Sequence, residues 1–365
     1  MSEHPGWTAP GSPQGQPPQA PPPAPAPPQG GWGQAQHPGG GSWAARAPRP
    51  GIIPLRPLSL GELWDGAFRA VRTNPGPLLG SAAAVVLVTT TIDSLVQAFS
   101  IPALDILSDP AATPDEAFGA LSAGLPAIIS SGLLSFVLST VAVAVLTGVV
   151  TTSVSTAVLG RRTPARELWS KVRGHLVPLV GVSLLVSLIS LVAVLVLVGP
   201  GFALVIGGAA GSSDGAVVGG VALLLLGSLA ALVVGVFLTV RLFMAPAALV
   251  LEGQGVGASL RRAWALSRRG FWRLLGIYLL TALCIGIVAA VVASPFAFAG
   301  TAVGLAVGVD SPLYLPLTLV LTGIGTVLAA TVLYPLQAAV VTLQYIDQRM
   351  RLEGLDVDLA RAAAR

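Results

Sequence analysis

Gly257–Gly276 reads GASLRRAWALSRRGFWRLLG. At 3.6 residues per turn, Leu260, Trp264 and Phe271 share one narrow stripe, and Arg261, Arg262, Arg268 and Arg269 fall away from it. A long apolar run follows at once, from Leu274 onward. A basic, tryptophan-bearing amphipathic segment joined to such a run predicts a helix lying at a membrane surface and feeding a spanning helix. Two weaker copies of this arrangement occur earlier in the chain, so the reading of this stretch extends to the whole molecule.

The composition agrees. The 365 residues are 53% hydrophobic and only 10% charged, with a mean hydropathy of +0.80. Soluble domains carry about 25% charged residues, so the deficit points to a lipid environment. A net charge of +4 would suggest nucleic acid in a soluble chain, but the positions of the charges argue for a membrane instead and no nucleic-acid partner is expected. The single cysteine, Cys284, lies in an apolar run and allows no intramolecular disulfide. His4, His37 and His175 are too scattered for a metal cage, and no metal or cofactor is expected. The first 50 residues lack the basic start and apolar core of a cleavable leader. Nineteen of the twenty basic residues are arginine, which hints at a GC-rich bacterial genome.

Residues 1–50 are rich in Pro, Gly and Gln; they cannot bury a core and read as a disordered, solvated cytoplasmic tail. Residues 51–346 read as the membrane domain and 347–365 as a cytoplasmic helical tail. Ser59 and Glu62 form a capping box ahead of a first amphipathic helix over 57–72, which Asn74-Pro75-Gly76-Pro77 ends. Six apolar runs follow, starting near Leu78, Pro126, Leu176, Ala216, Phe271 and Leu313, each at least as long as the ~20 residues a spanning helix needs.

The loops alternate in charge. All basic residues except Arg241 sit in the N-terminal region, in 160–175, in 252–273 or in the C-terminal tail. The other loops carry Asp105, Asp109, Asp115, Glu116, Asp214 and Asp310. The positive-inside rule then gives six spans with both termini cytoplasmic.

A shift of 95 residues superposes Trp169 on Trp264, Leu179 on Leu274, Gly181 on Gly276, Leu185 on Leu280 and Pro200 on Pro295. The expected fold is all-α: six transmembrane helices arranged as three repeats of an interfacial helix plus a two-span hairpin. The first repeat fits less well, since Trp64 lies 105 residues before Trp169. Pro200 and Pro295 each fall ~36 Å along their runs, which predicts an outer helix end at each. Asp93 and Arg241, the two charges inside apolar runs, are placed in opposite leaflets. Arg241 is expected to snorkel to the inner headgroups, with 242–251 along the interface, and Asp93 to end the first span early.

No H-E-x-x-H, G-x-S-x-G or Walker loop is present, so no catalytic residues are assigned and the chain is read as a non-enzyme. The candidate site is a basic ring of Arg161, Arg162, Lys171, Arg173, Arg261, Arg262, Arg268, Arg269 and Arg273 around Trp169 and Trp264, with Trp64 as a further interfacial residue and anionic lipid headgroups or an acidic envelope protein as partner. In the C-terminal tail, Asp347–Arg351 and Arg349–Glu353 read as exposed i,i+4 pairs, individually dispensable.

The segments IPLRPLSLGELWDGAFRAVRTNP, VRLFMAPAALVLEGQGVGASLRRAWALSRRGFWRLLGIYLL and YIDQRMRLEGLDVDLARA resemble the bacterial membrane-domain family named after glycerophosphoryl diester phosphodiesterases. The resemblance covers residues 52–362 and implies a multi-span helical domain. The catalytic part of such enzymes would need a His-Arg-Gly start; the nearest match, Arg173-Gly174-His175, has the wrong order. The expected role is a membrane scaffold or partner subunit. The alternative is a transporter or channel for a small or lipid-like substrate, which would call for polar groups converging at membrane depth.

Overall fold

The computed structural model describes residues 51–100, 114–211, 213–309 and 311–355. The tail of 1–50, the acidic positions Asp105, Asp109 and Asp310, and Arg361 and Arg365 lie outside these residues. Ten helices and no strand occur among the described residues: α1 Leu60–Thr73, α2 Pro75–Ser100, α3 Pro114–Val158, α4 Ala165–Arg173, α5 Leu176–Ala210, α6 Asp214–Leu242, α7 Ala245–Glu252, α8 Val256–Arg268, α9 Phe271–Val307 and α10 Tyr314–Glu353. Six of them, α2, α3, α5, α6, α9 and α10, are long and apolar enough to cross a membrane.

The order is that of three units. Amphipathic α1, α4 and α8 each precede a hairpin of two long helices: α2–α3, α5–α6 and α9–α10. The capping box of α1 is formed in both directions, with Glu62 N–H donating to Ser59 Oγ and Ser59 N–H donating to Glu62 Oε2. The helix closes at Asn74, and Pro75 opens α2 where its missing N–H costs nothing.

Glycines set the separation in two of the hairpins. A Cβ at Gly220 would lie 2.7 Å from Val205 N, and one at Gly201 would lie 2.7 Å from Leu224 N, so α5 and α6 touch backbone to backbone. Gly304 and Gly325 bring α9 and α10 close in a similar way, with a Cβ at each meeting the side chains of Thr318 and Phe296 at 2.7 and 2.8 Å. Gly80 and Gly132 of the first hairpin meet nothing, which matches the weaker fit of that unit to the repeat.

Pro200 and Pro295 do not end their helices. α5 continues to Ala210 and α9 to Val307 with each proline inside. A proline removes one helical hydrogen bond, and a tightly apposed neighbour such as Leu224 against Gly201 holds the chain in register across the gap. Asp93 likewise does not end α2, which runs to Ser100 with Asp93 Oδ1 buried and unpaired.

Burial is uneven. The lipid-length helices expose large side chains along much of their surface, for example Leu225, Leu226, Leu229, Leu232 and Val233 on α6. Such a continuous apolar surface is stable only in an apolar solvent. The core is concentrated where α1, α4, α7 and α8 meet the long helices. There Ile53, Leu58, Leu63, Leu179, Leu249, Leu274, Leu343 and Tyr345 are fully buried. Each such aliphatic side chain contributes ~1.5–3 kcal/mol relative to exposure.

Two further segments belong to this core, the second against expectation. Residues 51–58 form a non-helical strap buried against α3 and α10, with Ile52 N–H donating to Ala157 O at 3.3 Å. Short α7 buries Ala245, Ala247, Ala248 and Leu249 completely, so it lies inside the bundle and not along the interface. Its small side chains are what let a helix fit there.

Candidate basic end and bundle cavity

Gly257–Gly276 is not one helix. α8 ends at Arg268, a turn at Arg269–Gly270 follows, and Phe271 opens α9. At Gly270 the turn passes close to α10: a Cβ there would lie 2.9 Å from Gln348 Nε2 and would push that side chain aside. The buried stripe of α8 is therefore Ser259, Ala263, Leu266 and Ser267, with Trp264 on its rim and 39% exposed.

The break divides the predicted basic ring in two. Arg273, on the first turn of α9, reaches inward and donates from Nη1 to Asp347 Oδ2 at 2.5 Å. Asp347 is fully buried, which overturns its reading as an exposed tail residue. Its Oδ1 also accepts Leu58 N–H at 2.7 Å, and Arg351 Nε donates to both of its oxygens. Leu58 O in turn accepts from Arg273 Nη2 at 2.9 Å and Arg351 Nη2 at 2.6 Å. One carboxylate thus joins the strap, α9 and α10. Two guanidiniums compensate it, so the buried charge is not left alone.

Arg262 is also committed internally. Its Nε and Nη2 donate to Glu252 Oε1 at 3.0 and 2.9 Å, and its Nη2 donates to Glu353 Oε2 at 2.7 Å. Tyr345 hydroxyl and Gln254 amide donate to the same Glu252, and Arg349 donates to Glu353 at 2.9 Å. Burial works against the charge on Arg262, but its bonds to Glu353 and Glu252 and their attraction outweigh this and raise its pKa. The network ties α7, α8 and α10 together. Arg262 and Arg273 are therefore removed from the ring available to a ligand.

The remaining members face outward. Arg161, Arg162, Arg173, Arg261, Arg268 and Arg269 are exposed and form no ion pair among the described residues. Lys171 holds an exposed i,i+4 pair with Glu167 at 2.7 Å. α4 packs on α3, whereas α8 packs on α5, α6 and α7, so the two basic helices rest on different supports. Trp169 is half exposed. Trp64 is half-buried with its Nε1 buried and unpaired, so it serves packing more than the rim. Trp272, outside the predicted set, is 80% exposed at the start of α9. It directly precedes Arg273, and that neighbourhood is the signal that would have found it.

Arg241 does not snorkel. Its guanidinium carbon lies 5.1 Å from the ring centres of Phe237 and Trp264 and 5.2 Å from that of Phe271, with Nε and Nη1 buried and lacking hydrogen bonds. Three aromatic faces replace hydration at this joint of α6, α8 and α9.

A cavity of about 490 Å³ opens between α3, α5, α6, α7, α9 and α10. Ser139, Thr140, Thr147, Ser183, Ser187, Thr239, Tyr278, Tyr334 and Gln337 line it together with apolar side chains such as Phe136, Leu146 and Phe243. Among the described residues, no group of three or more His, Cys, Asp or Glu side chains is placed to hold a metal.

The model of one family, a domain of unknown function designated DUF7847, matches residues 58–355, from the strap's last residue to just beyond α10. The chain belongs to that family. No curated protein and no solved structure matches it.

Proposed function

We propose that this member of the family is a non-enzymatic multi-pass protein of the bacterial inner membrane that gathers anionic lipid headgroups, or an acidic envelope partner, at its basic end. The observation that carries the reading is the division of the arginines. Three acids at that end, Glu252, Asp347 and Glu353, are spent on internal partners, while six arginines beside Trp169, Trp264 and Trp272 keep their charge exposed. Each exposed cation at an anionic leaflet gains ~1 kcal/mol, and the aromatic rims favour the headgroup layer. The resemblance to the membrane region of the phosphodiesterase family is read as one of architecture, with no catalytic part carried over.

The test is native mass spectrometry of the wild type against a variant with Arg161, Arg261, Arg268 and Arg269 all changed to Gln. Arg262 is left in place because it holds the fold. Loss of bound anionic lipid with unchanged thermal stability is expected. Equal retention would remove the lipid role and leave the charges only to orient the chain. In a Cys284→Ser background, a cysteine at position 162 should be labelled only from the cytoplasm and one at 214 only from outside; the reverse pattern would overturn the proposed orientation.

A further inference from the structure

We infer that the bundle cavity is a binding site for a neutral, single-chain amphiphile with a hydroxyl headgroup, taken from the lipid layer. Its depth comes first. Ser183 and Ser187 lie 7 and 11 residues into α5, ~10 and ~16 Å from the end at which that helix starts, and Tyr278 lies 7 residues into α9, ~10 Å in. The cavity is thus inside the hydrocarbon layer, in the half nearer the basic end. Its rim includes Val143, 50% exposed, and Tyr334, 40% exposed, on the surface that faces lipid. An occupant enters sideways from the bilayer.

The lining sets the headgroup. Half of the eighteen lining side chains are polar and none is charged. Six of the polar ones, Thr147, Ser183, Thr239, Tyr278, Tyr334 and Gln337, make no side-chain hydrogen bond to protein among the described residues, whereas Thr140 donates to Phe136 O at 2.7 Å and lies 3.4 Å from Ser187 Oγ. Unpaired donors and acceptors that face hydrocarbon are costly without a partner. Arg241, two residues beyond Thr239 on α6, is turned to its three aromatic rings, and Arg273 at the start of α9 is bound to Asp347. A carboxylate or phosphate would therefore be buried without a counter-charge, which a neutral hydroxyl avoids. The volume suits one chain and a small head and falls within the usual range of ligand sites.

The experiment uses the full chain in lipid nanodiscs and four photoactivatable probes that share one alkyl-diazirine chain and end in a hydroxyl, a carboxylate, a phosphate or a methyl group. The hydroxyl probe is expected to label peptides within 136–147, 183–187 and 334–341, with unlabelled long-chain alcohol competing it away. Ser183→Leu, which fills the space, should lower this labelling by tenfold or more. Thr147→Val with Tyr334→Phe keeps shape and fold and removes two hydroxyls; it should lower labelling by the hydroxyl probe severalfold while a methyl-ended probe is unaffected. Equal or stronger labelling by the charged probes, labelling spread over the outer lipid surface, or no labelling above the methyl-ended probe, as for a cavity that holds water only, would each overturn the proposal. The four-arginine variant of the basic end should label like wild type, so failure of the lipid-headgroup reading and failure of this one are separable.

Discussion

Arg261 and Arg262 are neighbours in the chain and opposites in the molecule. Arg261 is exposed with no ion pair among the described residues, while Arg262 bridges Glu252 and Glu353 on two other helices. The same contrast separates Arg268 and Arg269 from Arg273, which reaches the buried Asp347. A step of one residue, ~100° around the helix, decides whether a guanidinium builds the fold or is left to meet a ligand. A count of charges on a loop therefore overstates the surface available for binding.

The contrast is most exposed to test at Asp347. Asp347→Asn keeps the shape but leaves Arg273 and Arg351 without a counter-ion. The loss should be ~3 kcal/mol, at the low end for a broken buried pair because both guanidiniums are about a third exposed. A melting curve in mild detergent that does not shift would mean the clasp on Leu58 contributes nothing.

Next is the neighbouring pair itself. Arg262→Gln gives up charge-assisted bonds to two carboxylates and should cost ~2 kcal/mol. Arg261→Gln should stay within ~0.5 kcal/mol of wild type. Equal effects in chemical denaturation would erase the distinction between inward and outward arginines.

A smaller effect is expected outside the fold. Each of Arg261, Arg268 and Arg269 changed singly to Gln should weaken the binding of anionic lipid, titrated onto the detergent-solubilised protein, by ~1 kcal/mol, and less as salt rises. Insensitivity to salt would place the contact elsewhere. The smallest belongs to the exposed pair on α4: exchanging Glu167 and Lys171 should alter stability by ~0.3–0.5 kcal/mol at most. A larger loss would show that α4 is held by charge and not by the burial of Leu168 and Val172.

The long-range architecture was legible because it follows from local physics. Runs longer than the bilayer is thick, separated by loops of alternating charge, leave little freedom in the number of spanning helices, and six are found. The capping box at Ser59 and Glu62, the stop at Asn74 and the three amphipathic helices ahead of three hairpins are likewise properties of short windows. The reading of Pro200 and Pro295 as ends failed because a proline's effect depends on what packs across it, and Gly201 against Leu224 lies 23 residues apart in the chain.

The sequence by itself determined that this protein is helical, spans a membrane six times and concentrates arginine at one end. These follow from hydropathy, periodicity and charge, which are sums over neighbours in the chain. Only the tertiary structure decided which charges are used internally. Asp347 reads as half of an exposed helical pair, yet the strap at Leu58, 289 residues earlier, closes over it. Arg241 reads as a headgroup contact, yet rings from α6, α8 and α9 enclose it. The cavity draws its hydroxyls from four helices, α3, α5, α9 and α10, and from the end of α6. Burial and pairing depend on residues far apart in sequence, and no local window contains them.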